Sequence, residues 1–354
     1  MKRIKRLIGH GKRLAVERVH KPEPVSEDVR ITNETVAARR EEVLGSARKY
    51  IYPLGAPKHR VIKWSIGILA AAIITFMSFC LLDLYKFQST SSFIYGVTQV
   101  IPFPVVVVGN HQFVSYNDYL FELRRYMHYY QTQQHADFNT KDGKKQLNVF
   151  QHRSMDQAIQ NAYVEQLADE HHVSVSESDI DNAITLVRSQ NRLGASDEVF
   201  QSVLNEFWGW SVNDFRRELR QELLAQKVVD ALDTATHSRA NAALMKLEQG
   251  ADFATLAKEV SDDLGTKANG GAYPALIDRA NNQLAPQIID SLFKLNPGHY
   301  SFVINTGYTL EIVKVNQVQG TQLNASHIAF NFQPITNFTD PLTKTEPSHQ
   351  LISF

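Results

Sequence analysis

An uncharged run of nineteen residues, Trp64–Leu82 (WSIGILAAAIITFMSFCLL), constrains this chain more than any other feature. A helix of that length rises roughly 28 Å, which matches the hydrocarbon core of a lipid bilayer. Lys63 and Asp83 bracket the run, and Trp64 and Tyr85 are residue types common at membrane interfaces. We therefore expect a transmembrane helix at this place in the chain.

Two other interpretations of the run are weaker. A buried helix of a soluble core is rarely uncharged on every face for five turns. A cleaved signal peptide has a short basic region, whereas 63 residues precede Trp64. In bacterial lipoprotein signals, small residues precede the cysteine that is lipidated. The bulky Phe79 before Cys80 therefore argues against lipidation.

The charge of the chain is divided at this run. Met1–Lys63 holds 16 basic and 7 acidic residues and the remainder holds 21 and 30, so the net charges are +9 and −9. Basic residues mark the cytoplasmic side of a span, which predicts a single-pass cell-membrane protein with a cytoplasmic N-terminus and extracytoplasmic domains after about Leu84. The basic segment could contact anionic lipids, but it lacks the interleaved aromatics and motifs typical of nucleic-acid binding.

Length and composition narrow the remaining classes. A chain of 354 residues exceeds what one hydrophobic core usually serves, and 43% hydrophobic with 21% charged residues excludes a mainly disordered or polytopic membrane protein. The single cysteine, Cys80, excludes a disulfide framework and a cysteine-based zinc site. Adjacent histidines such as His171 and His172 point to different sides of a helix, so they make a poor metal site. We expect no metal and no cofactor.

The first outer region reads as a short hairpin followed by helices. The stretch PVVVVGNHQFVS predicts two short strands around a turn at Gly109–Asn110. Three Ser-x-x-Asp patterns predict helix starts at Ser115, Ser176 and Ser211. Five predicted helices without a strong catalytic constellation favour packing or binding over chemistry.

The second outer region mixes helices and strands. Gly250 is typical of a position just past a helix end, and Asp252 can cap the next helix. After a glycine-rich loop (SDDLGTKANGGAYP) comes a helix that ends at Asn296-Pro297-Gly298, and then HYSFVIN and YTLEIVKVNQV read as strands. Several helices followed by neighbouring strands predict an α+β fold with a small antiparallel sheet.

Both outer regions resemble known families. The order of VVVVGNHQFVSYNDYLFEL, HRSMDQAIQNAYVEQLADEHHVSVSESDIDNAI and WSVNDFRRELRQELLAQKVV resembles the N-terminal chaperone region of the SurA and PrsA foldases. The segments LEQGADFATLAKEVSDD, GTKANGG and LNPGHYS, over roughly Asn241–Val318, resemble parvulin-type (PpiC-like) peptidyl-prolyl isomerases. The resemblance implies a helical chaperone domain (104–236) and a parvulin-like domain (237–332). With the charge and apolar patterns described above, the chain then divides further into a basic tail (1–63), a transmembrane helix (64–85), a linker (86–103) and a C-terminal tail (333–354).

The parvulin resemblance also implies a site. Asp263 occupies the position where the family has a cysteine or aspartate near the reacting peptide. Leu284 and Ile288 occupy the two apolar positions that hold the proline ring. The resemblance further assigns Ser261, Thr309 and His327 to the polar surroundings and Tyr273 to substrate binding.

Two departures from the family pattern concern the strands. Thr309 stands where parvulins usually have a histidine, in Gly307-Tyr308-Thr309, and no strand resembling ASHIL precedes Arg239. Instead NASHIAFNF, with His327, follows the last expected strand across the short connection VQGTQL. We expect Tyr308–Val318 and Leu323–Phe332 to pair as a hairpin, so that a circularly permuted domain regains its missing strand. The alternative is a second parvulin copy cut short by the chain end.

Three functions remain open from the sequence. The first is a foldase that isomerises X–Pro bonds in unfolded exported polypeptides, with the bilayer as its anchor. The second is a peptide-binding holdase with a degenerate parvulin domain, which Thr309 favours, and the third is an assembly factor dedicated to one partner. Structural roles also remain open for the site: Leu284 and Ile288 as core, Asp263 as a loop cap and His327 as a hydrogen-bonded strand residue.

Overall fold

The structure, a computed structural model, describes residues 32–51, 58–109, 112–189 and 196–354. The described residues up to Phe76 and those of Met77–Phe354 form separate units. Within them the chain is mostly helical and contains two small antiparallel sheets. Asn110, expected in a turn, and residues 1–31 and 52–57 of the predicted tail lie outside the described residues.

Helices α1 (Asn33–Ile51) and α2 (Lys58–Leu81) open the described chain, and α2 continues into a π-helical turn, Leu82–Lys86. The region Val61–Lys86 is long and apolar enough to cross a membrane, and only 6% of its most apolar window is buried. A core helix of a soluble protein would be largely buried, so this alternative does not fit the described structure.

Residues 86–103, expected to be a linker, differ from that expectation. They contain helix α3 (Ser92–Val100), capped by the Ser91 hydroxyl, which accepts from the Ile94 amide. Ile94 and Thr98 are buried on its inner face. The helix was missed because serine, glycine and threonine dilute its apolar pattern, while the burial of Ile94 stabilises it in context.

The helical domain begins with strands β1 (Pro104–Val108) and β2 (Gln112–Ser115), which pair antiparallel. Ser115 and Ser211 form capping boxes with Asp118 and Asp214, and Ser176 and Asp179 exchange the same hydrogen bonds, so all three predicted helix starts are present. The five helices are α4 (Tyr116–Gln133), α5 (Lys141–Glu170), α6 (Glu177–Ser189), α7 (Asp197–Trp208) and α8 (Val212–Leu232).

The second domain builds its core on both faces of one sheet. Gly250, with φ +92°, follows the end of the first helix, and Asp252 caps the second through the Thr255 amide. On one face of the sheet, Leu310 and Phe330 pack against the first two helices of this domain. On the other face, Val313 packs against its third helix. The elements are α9 (Thr234–Glu248), α10 (Phe253–Val260), α11 (Pro286–Leu292), β3 (Ile304–Asn305), β4 (Thr309–Gln319) and β5 (Gln322–Asn331).

The expected hairpin between β4 and β5 is present. The strands pair antiparallel along their length, with Thr309 opposite Asn331 and Val313 opposite His327, and β3 pairs on the other side of β4. Gly320 has φ +63° in the connecting turn, a conformation that favours glycine. The strand that carries His327 is therefore an integral part of the sheet.

Residues 333–354, expected to be a tail, fold back onto the helical domain. Helix α12 (Thr336–Thr345) is followed by β6 (Ser348–Gln350), which pairs antiparallel with β1. Phe354 stacks on Tyr119 with ring centroids 5.4 Å apart. These elements show no readable sequence pattern, because Pro341 lies inside the helix, where proline is disfavoured, and the strand pairs with a distant partner.

Asp233 joins the two domains at the point where the chain passes between them. Its side chain accepts from the Thr236 amide at 3.0 Å and the Gln333 amide at 2.9 Å, so it binds both the incoming and the outgoing segment. Burial alone would raise the pKa of this carboxyl, but the hydrogen bonds from Gln333 and Thr236 outweigh it and lower the pKa. The buried, ionised carboxylate of Asp233 thus holds the two chain segments together by hydrogen bonds.

Candidate functional site

The candidate site lies where the loop after α10 meets one face of the β4–β5 hairpin. Val313 lies opposite His327 and Glu311 opposite Ala329, so Glu311 and His327 are diagonal neighbours on the same sheet face. Asp263 reaches this face from the loop after α10. The pairing of β5 with β4 therefore brings together groups that lie far apart in the sequence.

His327 is held by two carboxylates. Its Nδ1 lies 2.8 Å from Glu311 Oε2, and its Nε2 lies 2.9 Å from Asp263 Oδ2. Only 9% of its side chain is exposed. Burial alone would lower the pKa of His327, but hydrogen bonds and charge from Glu311 and then Asp263 outweigh it and raise the pKa. The arrangement favours an imidazolium that donates from both ring nitrogens.

Asp263 is the more exposed of the two carboxylates that contact His327. Its side chain is 34% accessible, compared with 14% for Glu311. The Thr266 hydroxyl donates to it at 2.5 Å, and the Gly265 amide donates at 3.0 Å. The Thr266 hydrogen bond is the main cause of the lowered pKa of Asp263, and Gly265 and His327 add to it, while burial acts in the opposite direction. Asp263 therefore presents an ionised group toward the surface.

Thr309 belongs to the same network but does not touch His327. Its hydroxyl donates to Glu311 Oε1 at 3.0 Å and lies 2.8 Å from the Thr306 hydroxyl. Glu311 thus connects Thr309 with His327 by accepting from both. The hydroxyl that stands in place of the family histidine is therefore linked to the imidazole through one carboxylate, Glu311.

Tyr273 links the polar groups to the apolar side of the site. Its ring stacks on His327 with centroids 4.4 Å apart and an interplanar angle of 27°. Its hydroxyl lies 3.5 Å from Glu311 Oε2, and burial followed by the charge of Glu311 raises its pKa. Tyr273 and Leu284 are both half-buried and pack against the apolar cluster around α11.

Ile288 occupies a different position from the one the resemblance implies. It is 1% exposed and lies in the core between α11 and β4, where Val313 and Val315 belong to the same cluster. The inner face of the short α11 must cover the sheet, and Ile288 lies on that face. The structure thus gives Ile288 the core placement that the sequence left open, and the accessible apolar surface comes from Leu284 and Tyr273.

Ser261 is also fully buried. Its hydroxyl oxygen accepts from the Asp263 amide at 3.3 Å and from the Ala329 amide at 3.2 Å. It therefore fastens the Asp263 loop to β5 and does not face the surface.

Sequence reasoning missed Glu311 and Thr266. Glu311 had a signal: it is a carboxylate that alternates with Thr309 and Val313 on one face of the strand. Thr266 had none beyond its closeness to Asp263. Within the described ranges, no group of three or more His, Cys, Asp or Glu side chains is arranged to hold a metal ion.

Comparisons with known proteins divide the chain as its fold does. A family model described as "SurA-like N-terminal domain" matches residues 58–229, and one described as "PPIC-type PPIASE domain" matches residues 223–317. The first match includes α2 and most of the helical domain, and it ends inside α8. The second contains Asp263, Leu284, Ile288 and Thr309, and it ends before β5.

Three curated relatives illustrate the similarity. Chaperone SurA of Albidiferax ferrireducens is 31% identical over 133 residues, covering 33% of this chain and 28% of that protein. Foldase protein PrsA 2 of Listeria innocua is 29% identical over 168 residues, covering 40% and 55%. A parvulin-like PPIase of Rickettsia bellii is 35% identical over 80 residues, covering 23% and 28%. The chain spans between about a quarter and just over half of these relatives. It thus combines a SurA-like N-terminal domain with a parvulin-type PPIase domain, and SurA and PrsA foldases are among its homologues.

Proposed function

We propose that this chain is a membrane-anchored foldase that accelerates cis/trans isomerisation of X–Pro bonds in unfolded exported polypeptides, with the helical domain (104–236) as its chaperone part. One observation carries the proposal. The docking of β5 against β4 joins His327 to Asp263 and Glu311, beside the apolar surface of Tyr273 and Leu284.

The chemistry of proline isomerisation suits such a site. Rotation about a peptide bond faces a barrier of roughly 18–20 kcal/mol, and an uncatalysed X–Pro bond takes tens to hundreds of seconds. No nucleophile is required if the site binds the twisted amide better than the planar one. In our proposal Leu284 and Tyr273 grip the proline ring, and the Asp263 carboxylate and Thr309 hydroxyl provide the polar surroundings. His327 and Ser261 hold Asp263 in place.

We also propose that the PPIase domain is circularly permuted. The PPIase family match ends at residue 317, and β5, which pairs with β4 directly afterwards, carries the ASHI sequence that resembles the first strand of parvulins. A strand supplied from the other end of the chain fills the same place in the sheet. The pairing is hard to reconcile with a separate, truncated second copy, since β5 belongs to the first copy's core.

The proposed anchor is the helical region Val61–Lys86. Its apolar length supports a single span, and the basic excess before it supports a cytoplasmic N-terminus. In this topology both folded domains lie on the extracytoplasmic side, where exported chains emerge.

A second candidate is a holdase whose PPIase domain binds peptides without isomerising them. Two observations favour it: Ile288 is buried instead of lining an open pocket, and Thr309 offers a hydroxyl where parvulins have an imidazole. Both candidates share the same clients, unfolded polypeptides.

The discriminating test is proline isomerisation of a short peptide by the full chain in detergent. We expect acceleration by the wild type and a loss of about a hundredfold to a thousandfold in Asp263→Ala, because that is the typical cost of removing one preorganised polar group that stabilises a transition state. Asp290→Ala removes an exposed carboxylate from α11 and should leave the rate unchanged. Absence of acceleration by the wild type, together with suppressed aggregation of an unfolded client, would establish the holdase instead; absence of both would leave the dedicated assembly factor.

A further inference from the structure

Helix α3 exposes an apolar surface that nothing in the described chain covers. Phe93 is 61% exposed and Val100, seven residues later on the same side of the helix, is 82% exposed. Between them Gly96 has open space where a side chain would project. Just before the helix, Phe87 is 69% exposed. We refer to Phe87, Phe93, Gly96 and Val100 as the α3 face.

The composition of this segment separates it from an ordinary solvent-facing helix. Helix α3 (SFIYGVTQV) contains no charged residue. Its opposite side is already used, because Ile94 and Thr98 are buried in the domain. Large exposed apolar side chains grouped on one helix face mark interaction sites in soluble domains.

The position of the face indicates its partner. Cys80 and Leu84, on one side of the last turns of the apolar helical region, belong to the same buried core cluster as Ile94 of α3. The Tyr116 hydroxyl donates to the Leu84 carbonyl at 2.5 Å, and the Arg124 guanidinium donates to the Thr90 carbonyl at 2.6 Å. The end of the apolar region and the start of α3 are therefore fastened to one core, within a few residues of each other.

We propose that the α3 face lies in the lipid interface as a second membrane contact of the folded domain. The inference rests on the proposed anchor, since the span ends where this core begins. Lys86, whose ammonium lies 5.9 Å from the centre of the Phe87 ring, stands at the polar edge of the face. The contact is apolar, so it requires no anionic lipid and tolerates salt. It would hold the helical domain close to the bilayer, where emerging chains are met first.

The test uses the full chain in liposomes of zwitterionic lipid, with an environment-sensitive fluorophore on single introduced cysteines. Phe93→Cys and Val100→Cys report on the α3 face. Ile74→Cys reports on the span, and Val318→Cys, 45% exposed near the β4–β5 turn, is the matched control. The native Cys80 is fully buried, so the wild type serves as the labelling blank.

We expect labels at 74, 93 and 100 to emit at shorter wavelength and to be quenched by lipid-borne nitroxide, and the label at 318 to be quenched by iodide. Raised salt should change none of these results. Lipid quenching at 74 with iodide quenching at 93 and 100 would overturn the inference and leave the anchor intact. Iodide quenching at 74 would overturn both. Labels at 93 and 100 shielded from both quenchers would show that protein covers the face, which also contradicts the proposal.

Discussion

The two sheets in the described part of the chain are alike in size, but their third strands differ. Each has three antiparallel strands, and each receives one strand from the last part of the described chain. In the second domain this strand is β5, ten residues long, with Ile328 and Phe330 fully buried. In the helical domain it is β6, three residues long, with His349 and Gln350 exposed.

The comparison shows which of these two strands the fold and the candidate site depend on. β5 provides half of the buried strand residues on each face of its sheet and positions His327 against Asp263 and Glu311. None of the three side chains of β6 is buried, and its neighbours Ile352 and Phe354 hold it by packing. We infer that β5 is indispensable to the second domain and that β6 fastens the last segment to the helical domain.

The largest expected effect comes from the core of β5. Phe330→Ala should lower the free energy of unfolding by about 3–5 kcal/mol, because it removes a fully buried aromatic ring and leaves a cavity. Phe302→Ala is the matched control, since that ring is 80% exposed. Denaturant unfolding followed by circular dichroism measures both. Equal losses in the two variants would contradict the central role of β5.

An intermediate effect is expected from the carboxylate that binds His327. Glu311 raises the pKa of His327 in the folded state, so their pairing stabilises the fold fully below the unfolded-state value of about 6.5 and is lost as pH rises through the folded-state value. Glu311→Gln should therefore cost about 1–3 kcal/mol at mildly acidic pH and less at alkaline pH. The exposed Glu248→Gln is the control. A difference that grows with rising pH would contradict the pairing.

The smallest effect on stability is expected where β6 and Phe354 pack against the helical domain. Phe354→Ala removes a ring stacked on Tyr119, and about 1 kcal/mol is a typical value for such an aromatic pair. Hydrogen exchange of the β1 amides opposite β6 should become faster, while exchange in β4 stays unchanged. Leu351→Ala, at a neighbouring side chain that is 49% exposed, should have little effect on either strand. Faster exchange in β4 would show that the pairing of β6 with β1 is coupled to the pairing of β5 with β4.

Local signals in the sequence were sufficient for much of the fold. Ser115, Ser176 and Ser211 begin helices because a serine followed by an aspartate satisfies free amides at a helix start, which needs no distant partner. The β4–β5 hairpin was predictable because alternating apolar residues flank a short turn at Gly320. Helix α3 and strand β6 were not predictable, since both depend on burial against distant residues.

The candidate site, too, was predictable only in part from the sequence. The resemblance placed Asp263, Thr309 and His327 near one another, and the structure brings them into one hydrogen-bonded network through Glu311. It could not reveal Thr266, whose contact with His327 depends on loop geometry. Nor could it distinguish Leu284, which is half-buried, from Ile288, which is core, because both are aliphatic residues at helical spacing.

The most direct test of the proposed site is the exchange rate between cis and trans forms of a proline peptide, measured by NMR with the full chain. We predict faster exchange with the wild type than in buffer. His327→Gln should lose most of that acceleration while circular dichroism shows a folded chain, because Asp263 then lacks the imidazolium that orients it. Exchange at the buffer rate with the wild type, or undiminished acceleration by a folded His327→Gln, would contradict a prolyl isomerase site completed by β5.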